Sequence, residues 1–204
     1  IEEKGLHSIE KFLVSRYLMY AQVYLHKTSL VAEKMLKMTI ERVKYLLNNG
    51  ENVEMGDQLK TLLTGDPITA SEEGIMELFS SLDDIDVWDL LKKNRNHADP
   101  VLSYLCTGLV DRRLSKIVIG GGDTAWQDKE ALAIKIATEM GLTEKDASFV
   151  IVAGEEKITA YSEAKTSIRF LQRDGEVVPF SQQTGLSEAL FKDKPMKYLI
   201  YPRN

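Results

Sequence analysis

Apolar residues recur at helical spacing from the start of the chain. Ile9, Phe12, Leu13, Leu18, Val23, Leu30, Val31, Met35, Ile40, Val43, Leu46 and Leu47 follow a period of about 3.6 and predict one long helix over residues 6–49. Asn48-Asn49-Gly50 supplies its stop, and Thr28-Ser29 marks the place where so long a span bends. Shorter helices are expected over 55–63, over 72–80, and from a capping box at Ser81-Leu-Asp-Asp84 to about residue 94. Asp99-Pro100 then pairs a capping carboxylate with a proline at the first helical position, opening a helix that carries Val101, Leu102, Leu105 and Leu109.

The period changes after Arg112-Arg113. Residues 114–119 form a β-branched run ending in Gly120-Gly121-Gly122. A helix over about 125–140 follows, opened by Thr124-Ala-Trp-Gln127 and closed by Gly141. Residues 148–153 and 157–161 read as strands. Residues 168–172 and 176–180 flank Asp174-Gly175, a hairpin signal. A short helix near 186–191 precedes a last strand over 196–201. The fold class is therefore α+β: a mainly helical part over residues 1–111, then an α+β lobe over 112–204 with a mostly antiparallel sheet.

One polar feature interrupts the apolar pattern. Arg16, Tyr20, Tyr24 and Lys27 recur at spacings of four, four and three, which places them on one side of a helix. A packed face normally shows Leu, Ile and Val, and a solvated face shows short charged pairs. A guanidinium, two phenols and an ammonium suit a wall facing a ligand that is flat at one end and anionic at the other. Arg112-Arg113 with Lys116 forms a second basic cluster.

Composition narrows the classes. With 204 residues, 44% of them hydrophobic, the chain can bury one good core or a helical body with a smaller lobe. A net charge of −5 argues against general binding of a nucleic-acid backbone, so an anionic ligand would need a local basic cluster. The single cysteine, Cys106, permits no intrachain disulfide and fits a reducing, cytoplasmic compartment. No window is apolar enough to span a membrane, and no leader is visible. The first residue is Ile1 rather than Met, which suggests a piece of something longer.

Several chemistries lack their residues. His7, His26 and His97 form neither a His-Asp pair nor a His-x-x-x-His pair, so no metal site is expected within the chain. No Gly-x-Ser-x-Gly elbow is present. Cys106 reads as a small buried hydrophobe among leucines. The glycine run at 120–122 has neither phosphate-loop spacing and reads as a connector. The acids at Glu72-Glu73 and Asp83-Asp84-Asp86 sit at helix starts, where they complement the helix dipole.

The segment Ile9-Glu-Lys-Phe-Leu-Val-Ser-Arg16-Tyr-Leu-Met-Tyr20-Ala-Gln-Val-Tyr24-Leu-His26-Lys27 resembles the helix that follows the metal-binding part of HD-domain phosphohydrolases. The nearest branch is the dNTP triphosphohydrolases, which include the vertebrate SAM- and HD-domain dNTPase. Arg16, Tyr24, His26 and Lys27 keep that family's spacing, and Arg112 and Lys116 match a later element that opens a strand. The resemblance implies cleavage of a dNTP to a deoxynucleoside and triphosphate. It implies that Arg16 reaches the triphosphate, with Tyr20 on the same substrate wall, and that Tyr24 packs against the sugar and excludes a 2′-hydroxyl. Tyr20 stands where the vertebrate enzyme has a His. It further implies that His26, Lys27, Arg112 and Lys116 contact a regulatory nucleotide between subunits of a homo-oligomer.

The family's metal ligands lie before this helix, and their motifs are absent here. A divalent metal (Mn, Mg or Fe) is implied for the full-length protein and none for this segment. The chain then reads as the C-terminal region of a phosphohydrolase, inactive alone. The alternative is a non-catalytic helical interaction or regulatory module, with the tyrosine stripe as a protein interface.

Overall fold

A computed structural model describes residues 1–65, 71–120, 129–158, 161, 167–185 and 194–203. Its α+β class is the one the hydrophobic pattern predicts. The helices, in chain order, are α1 (Leu6–Met19), α2 (Lys27–Asn48), α3 (Asp57–Thr64), α4 (Glu72–Ser81), α5 (Asp84–Lys93), α6 (Pro100–Val110), α7 (Lys129–Met140), α8 (Glu144–Ala147) and α9 (Phe180–Gln183). The strands are β1 (Lys116–Ile119), β2 (Val152–Ile158), β3 (Arg169–Leu171), β4 (Val177–Pro179) and β5 (Lys194–Tyr201). Strands β1, β5 and β2 form one sheet in that order, and β3 and β4 form a second.

The chain makes two compact units, each from discontinuous pieces: residues 1–30 with 154–198, and residues 31–153 with 199–204. Neither coincides with residues 1–111 or 112–204.

The first unit is held by aromatic packing. Leu13 of α1 is buried with Tyr161, Phe170, Val178 and Phe180, and Leu6, Ile9 and Ile168 pack around them. Tyr161 meets Phe180 edge-on at 5.6 Å between ring centroids, a favoured aromatic geometry. The Tyr161 hydroxyl is satisfied by the Ile168 N–H at 2.9 Å. β3 and β4 pair antiparallel, Phe170 opposite Val178, as the Asp174-Gly175 signal predicts. Gly175 has φ +87°, which explains the glycine at that turn.

The second unit is built on α2. Val43 and Leu46 bury against Val53, Leu59, Leu90, Leu91, Leu102 and Cys106. Burial pushes the Cys106 thiol up to about 12, so it is an unreactive hydrophobe at neutral pH. Asn94, also buried, donates to the Glu54 and Leu90 carbonyls at 2.6 and 2.8 Å and fastens the segment before α3.

Arg42 of α2 is buried at 3% exposure. Its Nε and Nη2 reach the two oxygens of Asp99 at 3.1 and 2.5 Å. Nη1 makes a charge contact with Asp146 at 2.7 Å. The guanidinium carbon packs against the adjoining rings of Tyr45 and Phe149, at 4.9 and 4.8 Å from their centroids. Asp99 also caps α6, accepting from the Leu102 N–H at 2.7 Å. Asp146 sits in the first turn of α8 and accepts from Thr143 Oγ1 at 2.7 Å. One side chain thus ties α2 to the start of α6 and to α8.

Some boundaries differ from the sequence reading. Ser81 does not open α5: its Oγ donates to the Leu78 carbonyl at 2.7 Å within the last turn of α4, and Asp83 forms the capping box with Asp86 instead. Residues 148–150 are a 3-10 turn rather than strand, and β2 begins at Val152. The cap at 124–127, the glycines at 121–122 and the helix near 186–191 lie outside the described residues.

Arg42→Ala leaves Asp99 and Asp146 without the guanidinium they share. It is expected to lower the unfolding free energy by about 3–5 kcal/mol in a urea titration. Burial raises the Asp146 pKa, but Thr143 and Arg42 outweigh it and hold the carboxyl below its ordinary value. A depressed carboxyl contributes stability above its ordinary pKa and loses it as pH falls through the folded value. Asp146→Asn should therefore flatten the loss of stability between pH 6 and pH 3 (about one unit below the ordinary carboxylate range); parallel curves for parent and variant would refute the role given to Asp146.

Candidate functional site

The sequence predicts a continuous helix through residues 16–27, and the structure breaks it. α1 ends at Met19 and gives way to a π-helical turn, Tyr20–Tyr24. The Leu25 N–H reaches back five residues to the Tyr20 carbonyl at 2.9 Å. Leu25 leaves the helical region with φ −97° and ψ 18°, and α2 starts afresh at Lys27. The bend therefore falls at Leu25-His26 rather than Thr28-Ser29, because widening the turn exhausts the regular hydrogen-bond ladder before the hydroxyl residues are reached. Single π-helical turns recur at functional sites.

Arg16, Tyr20 and Tyr24 do come together. The Arg16 guanidinium carbon lies 5.6 Å from the Tyr20 ring centroid. The Tyr20 and Tyr24 rings are 5.1 Å apart, inclined at 57°. Phe12, Ser15, Arg16, Met19 and Tyr20 line a shallow cavity of about 390 Å³. Arg16 and Tyr24 are exposed and Tyr20 is half-buried. Phe12, Leu18, Met19 and Val23 add exposed apolar surface to the same stretch. The result is a cationic and aromatic ladder open to solvent, suited to phosphate oxygens at the guanidinium and to a sugar or ring against the phenols.

Lys27 is not part of that ladder's helix, since it lies beyond the break. His26 uses its ring locally: Nδ1 accepts from the Thr28 N–H at 3.3 Å as α2 begins. Both residues are exposed.

Arg112 and Lys116 belong to the second unit. Arg112 follows α6 with φ +57°, a left-handed conformation that costs a non-glycine residue about 1–2 kcal/mol. The neighbouring Asp111 is held by Arg95 through Nη2 at 2.7 and 2.8 Å. Lys116 opens β1, and its Nζ lies 5.6 Å from the Tyr201 ring centroid. The intervening Ser115 is buried and pairs with the Tyr104 hydroxyl at 2.9 Å.

Among the described residues, no three His, Cys, Asp or Glu side chains gather as metal ligands. No helix among them is long and apolar enough to cross a membrane.

Residues 1–64 match the family described as the HD associated region. The chain is related to HD-domain proteins. A phosphohydrolase from Bacteroides thetaiotaomicron VPI-5482 is similar over the whole chain at 33% identity, with a TM-score of 0.85, and the match covers 52% of that protein. The Bacillus subtilis (strain 168) protein YwfO is 25% identical over 217 residues, covering 100% of this chain and 47% of its own length. The chain spans about half the length of these relatives.

Because Arg16 is exposed and its ring contact is solvated, its contribution to folding is small. Arg16→Met is expected to change the unfolding free energy by less than about 0.5 kcal/mol in thermal denaturation; a larger loss would mark Arg16 as structural.

Proposed function

We propose that this chain is the C-terminal region of a metal-dependent HD-type nucleotide phosphohydrolase, cleaving dNTPs to a deoxynucleoside and triphosphate. The observation that carries the reading is the Arg16–Tyr20–Tyr24 ladder, which lies within the residues that match the HD associated region. The 33% identity to a phosphohydrolase supports it. Arg16 binds the triphosphate, and Tyr20 and Tyr24 border the sugar. The divalent ion and its ligands belong to sequence outside these residues, so the segment is inactive alone. His26, Lys27, Arg112 and Lys116 serve a regulatory nucleotide, and the enzyme works as a cytoplasmic homo-oligomer.

The test is a dNTP hydrolysis assay on the full-length gene product with Mn²⁺ or Mg²⁺. A charge-assisted hydrogen bond is worth about 1.5–3 kcal/mol, so Arg16→Ala should lower kcat/KM roughly 10- to 100-fold. Tyr24→Ala should narrow the preference for dNTPs over NTPs. The 204-residue chain itself should release no triphosphate. Turnover by that chain, or Arg16→Ala kinetics equal to the parent, would overturn the assignment.

Assembly has its own support. Ile75, Met76 and Phe79 on α4 and Ile85 and Trp88 on α5 are exposed. Five large apolar side chains exposed between residues 75 and 88 are candidates for a subunit contact. Phe79→Ser with Trp88→Ser should reduce the sedimenting mass of the full-length protein; an unchanged mass would remove this face from the assembly. A second reading, in which the π-helical turn is itself a protein interface, draws on the exposed Phe12, Met19 and Val23. It predicts wild-type kinetics for Arg16→Ala.

A further inference from the structure

Two stretches of the chain expose large apolar side chains in opposite electrostatic settings. Residues 72–91 cover α4 and most of α5 and hold acids but no lysine or arginine. Residues 11–32 run from α1 through the π-helical turn into α2 and hold Lys11, Arg16 and Lys27 but no acid. Met76, Phe79, Ile85 and Trp88 are 46–73% exposed in the first stretch, and Phe12, Met19, Val23 and Tyr24 are 42–58% exposed in the second. Surfaces that join apolar area to opposite charge are complementary.

The acidic stretch also repeats the shape of what the ladder would hold. Asp84 and Trp88 stand four residues apart on α5, with Ile85 three before Trp88, so a carboxylate, an indole and an isoleucine share one side of that helix. Asp84 is exposed together with Trp88. On α4, Glu72, Met76 and Phe79 follow the same kind of spacing. Rings beside carboxylates offer a flat body next to anionic oxygens, as a nucleotide does. The Arg16 guanidinium beside Tyr20, with the Tyr20 and Tyr24 rings 5.1 Å apart, can receive either.

We propose that the α4–α5 face of one copy docks on the α1 and π-helical surface of a second copy and occupies the wall that a nucleotide would use. Trp88 and Phe79 pack against the tyrosines and the exposed apolar side chains, while Asp84, Glu77 and their acidic neighbours meet Arg16 and Lys11. This inference rests on the two readings above, the ladder as a nucleotide wall and α4–α5 as a subunit contact, and it names the surface that contact meets. Charge decides against the acidic face pairing with itself, because two copies of residues 72–91 would bring like charges together. Two unlike surfaces join head to tail, so copies add in series unless a ring closes. Carboxylates and phosphates compete for one guanidinium, so the contact and a bound nucleotide exclude each other.

The test is sedimentation of the 204-residue chain over a range of concentrations at about 50 mM salt. The mass should rise above that of one copy, and about 500 mM salt should weaken association at least about tenfold, because these charges are exposed and screened. Two charge-reversed variants, Glu77→Lys/Asp84→Lys and Lys11→Glu/Arg16→Glu, should each sediment as one copy while keeping the parent's circular dichroism. Mixed in equal amounts they should assemble again, since each then fits the other and not itself. About millimolar dATP should disperse the parent assembly. A chain that stays a single copy at every concentration, variants that assemble alone like the parent, or a mixture that does not assemble would overturn the docking. An assembly with these charge rules that dATP leaves intact would overturn the competition for Arg16. Arg16→Ala kinetics in the full-length enzyme test the wall separately, so either reading can fail alone.

Discussion

The second unit depends on one buried cation. Taking a guanidinium out of water costs several kcal/mol even after the surroundings relax. Arg42 recovers that cost because two adjoining rings pack against its guanidinium and its nitrogens meet two carboxylates. The geometry suits arginine and not lysine, whose ammonium offers no plane to stack and no fork for Asp99. The two acids are not spare charges. Asp99 is the cap of α6, and Asp146 belongs to the first turn of α8, so each complements a helix N-terminus as well as the cation. Satisfying Arg42 therefore fixes where α6 begins relative to α2, and with it Tyr104, which sits one turn into α6. Tyr104 in turn pairs with the buried Ser115.

The first unit follows the opposite economy. Its core is a small cluster of aromatics around Leu13, while the other side of the same helical run leaves Phe12, Met19, Val23 and Tyr24 in water. A π-helical turn gives up regular hydrogen-bond geometry for a wider spacing of side chains, and folding alone gains nothing from it. Here it accompanies two tilted tyrosine rings and a guanidinium on exposed surface. The local cost and the exposed apolar area both point to a surface completed by something that approaches it.

Much of this was legible in the sequence, for a physical reason that also sets the limit. Helical period, the Asp99-Pro100 start and the Asp174-Gly175 turn are local rules, and the chain obeys them. The closeness of Arg16, Tyr20 and Tyr24 follows from four-residue spacing, which survives a slight widening of the turn. The π-helical turn itself leaves no mark in the pattern, since Tyr-Ala-Gln-Val-Tyr satisfies an α-helix equally well. Ser81 and Asp83 both satisfy the capping rule, and only the hydrogen bond of Ser81 to its own helix decides between them. Arg42 was illegible because its partners lie 57 residues and further along the chain.

A substrate wall of the proposed kind cannot bind a triphosphate unaided. A triphosphate carries several negative charges, and among the described residues lining the cavity at Tyr20 the only cation is Arg16. In water a single exposed charge contact yields little, on the order of 1 kcal/mol or less, whereas the same guanidinium under a closed, low-dielectric cover acts far more strongly. Useful affinity for a nucleotide at this surface therefore requires two additions: a cover that excludes water, and further positive charge at the phosphates. A divalent ion outside these residues would provide the second, and the relatives' unmatched half is long enough to provide the first. The exposed apolar rim of Phe12, Met19 and Val23 is the kind of surface such a cover would rest on.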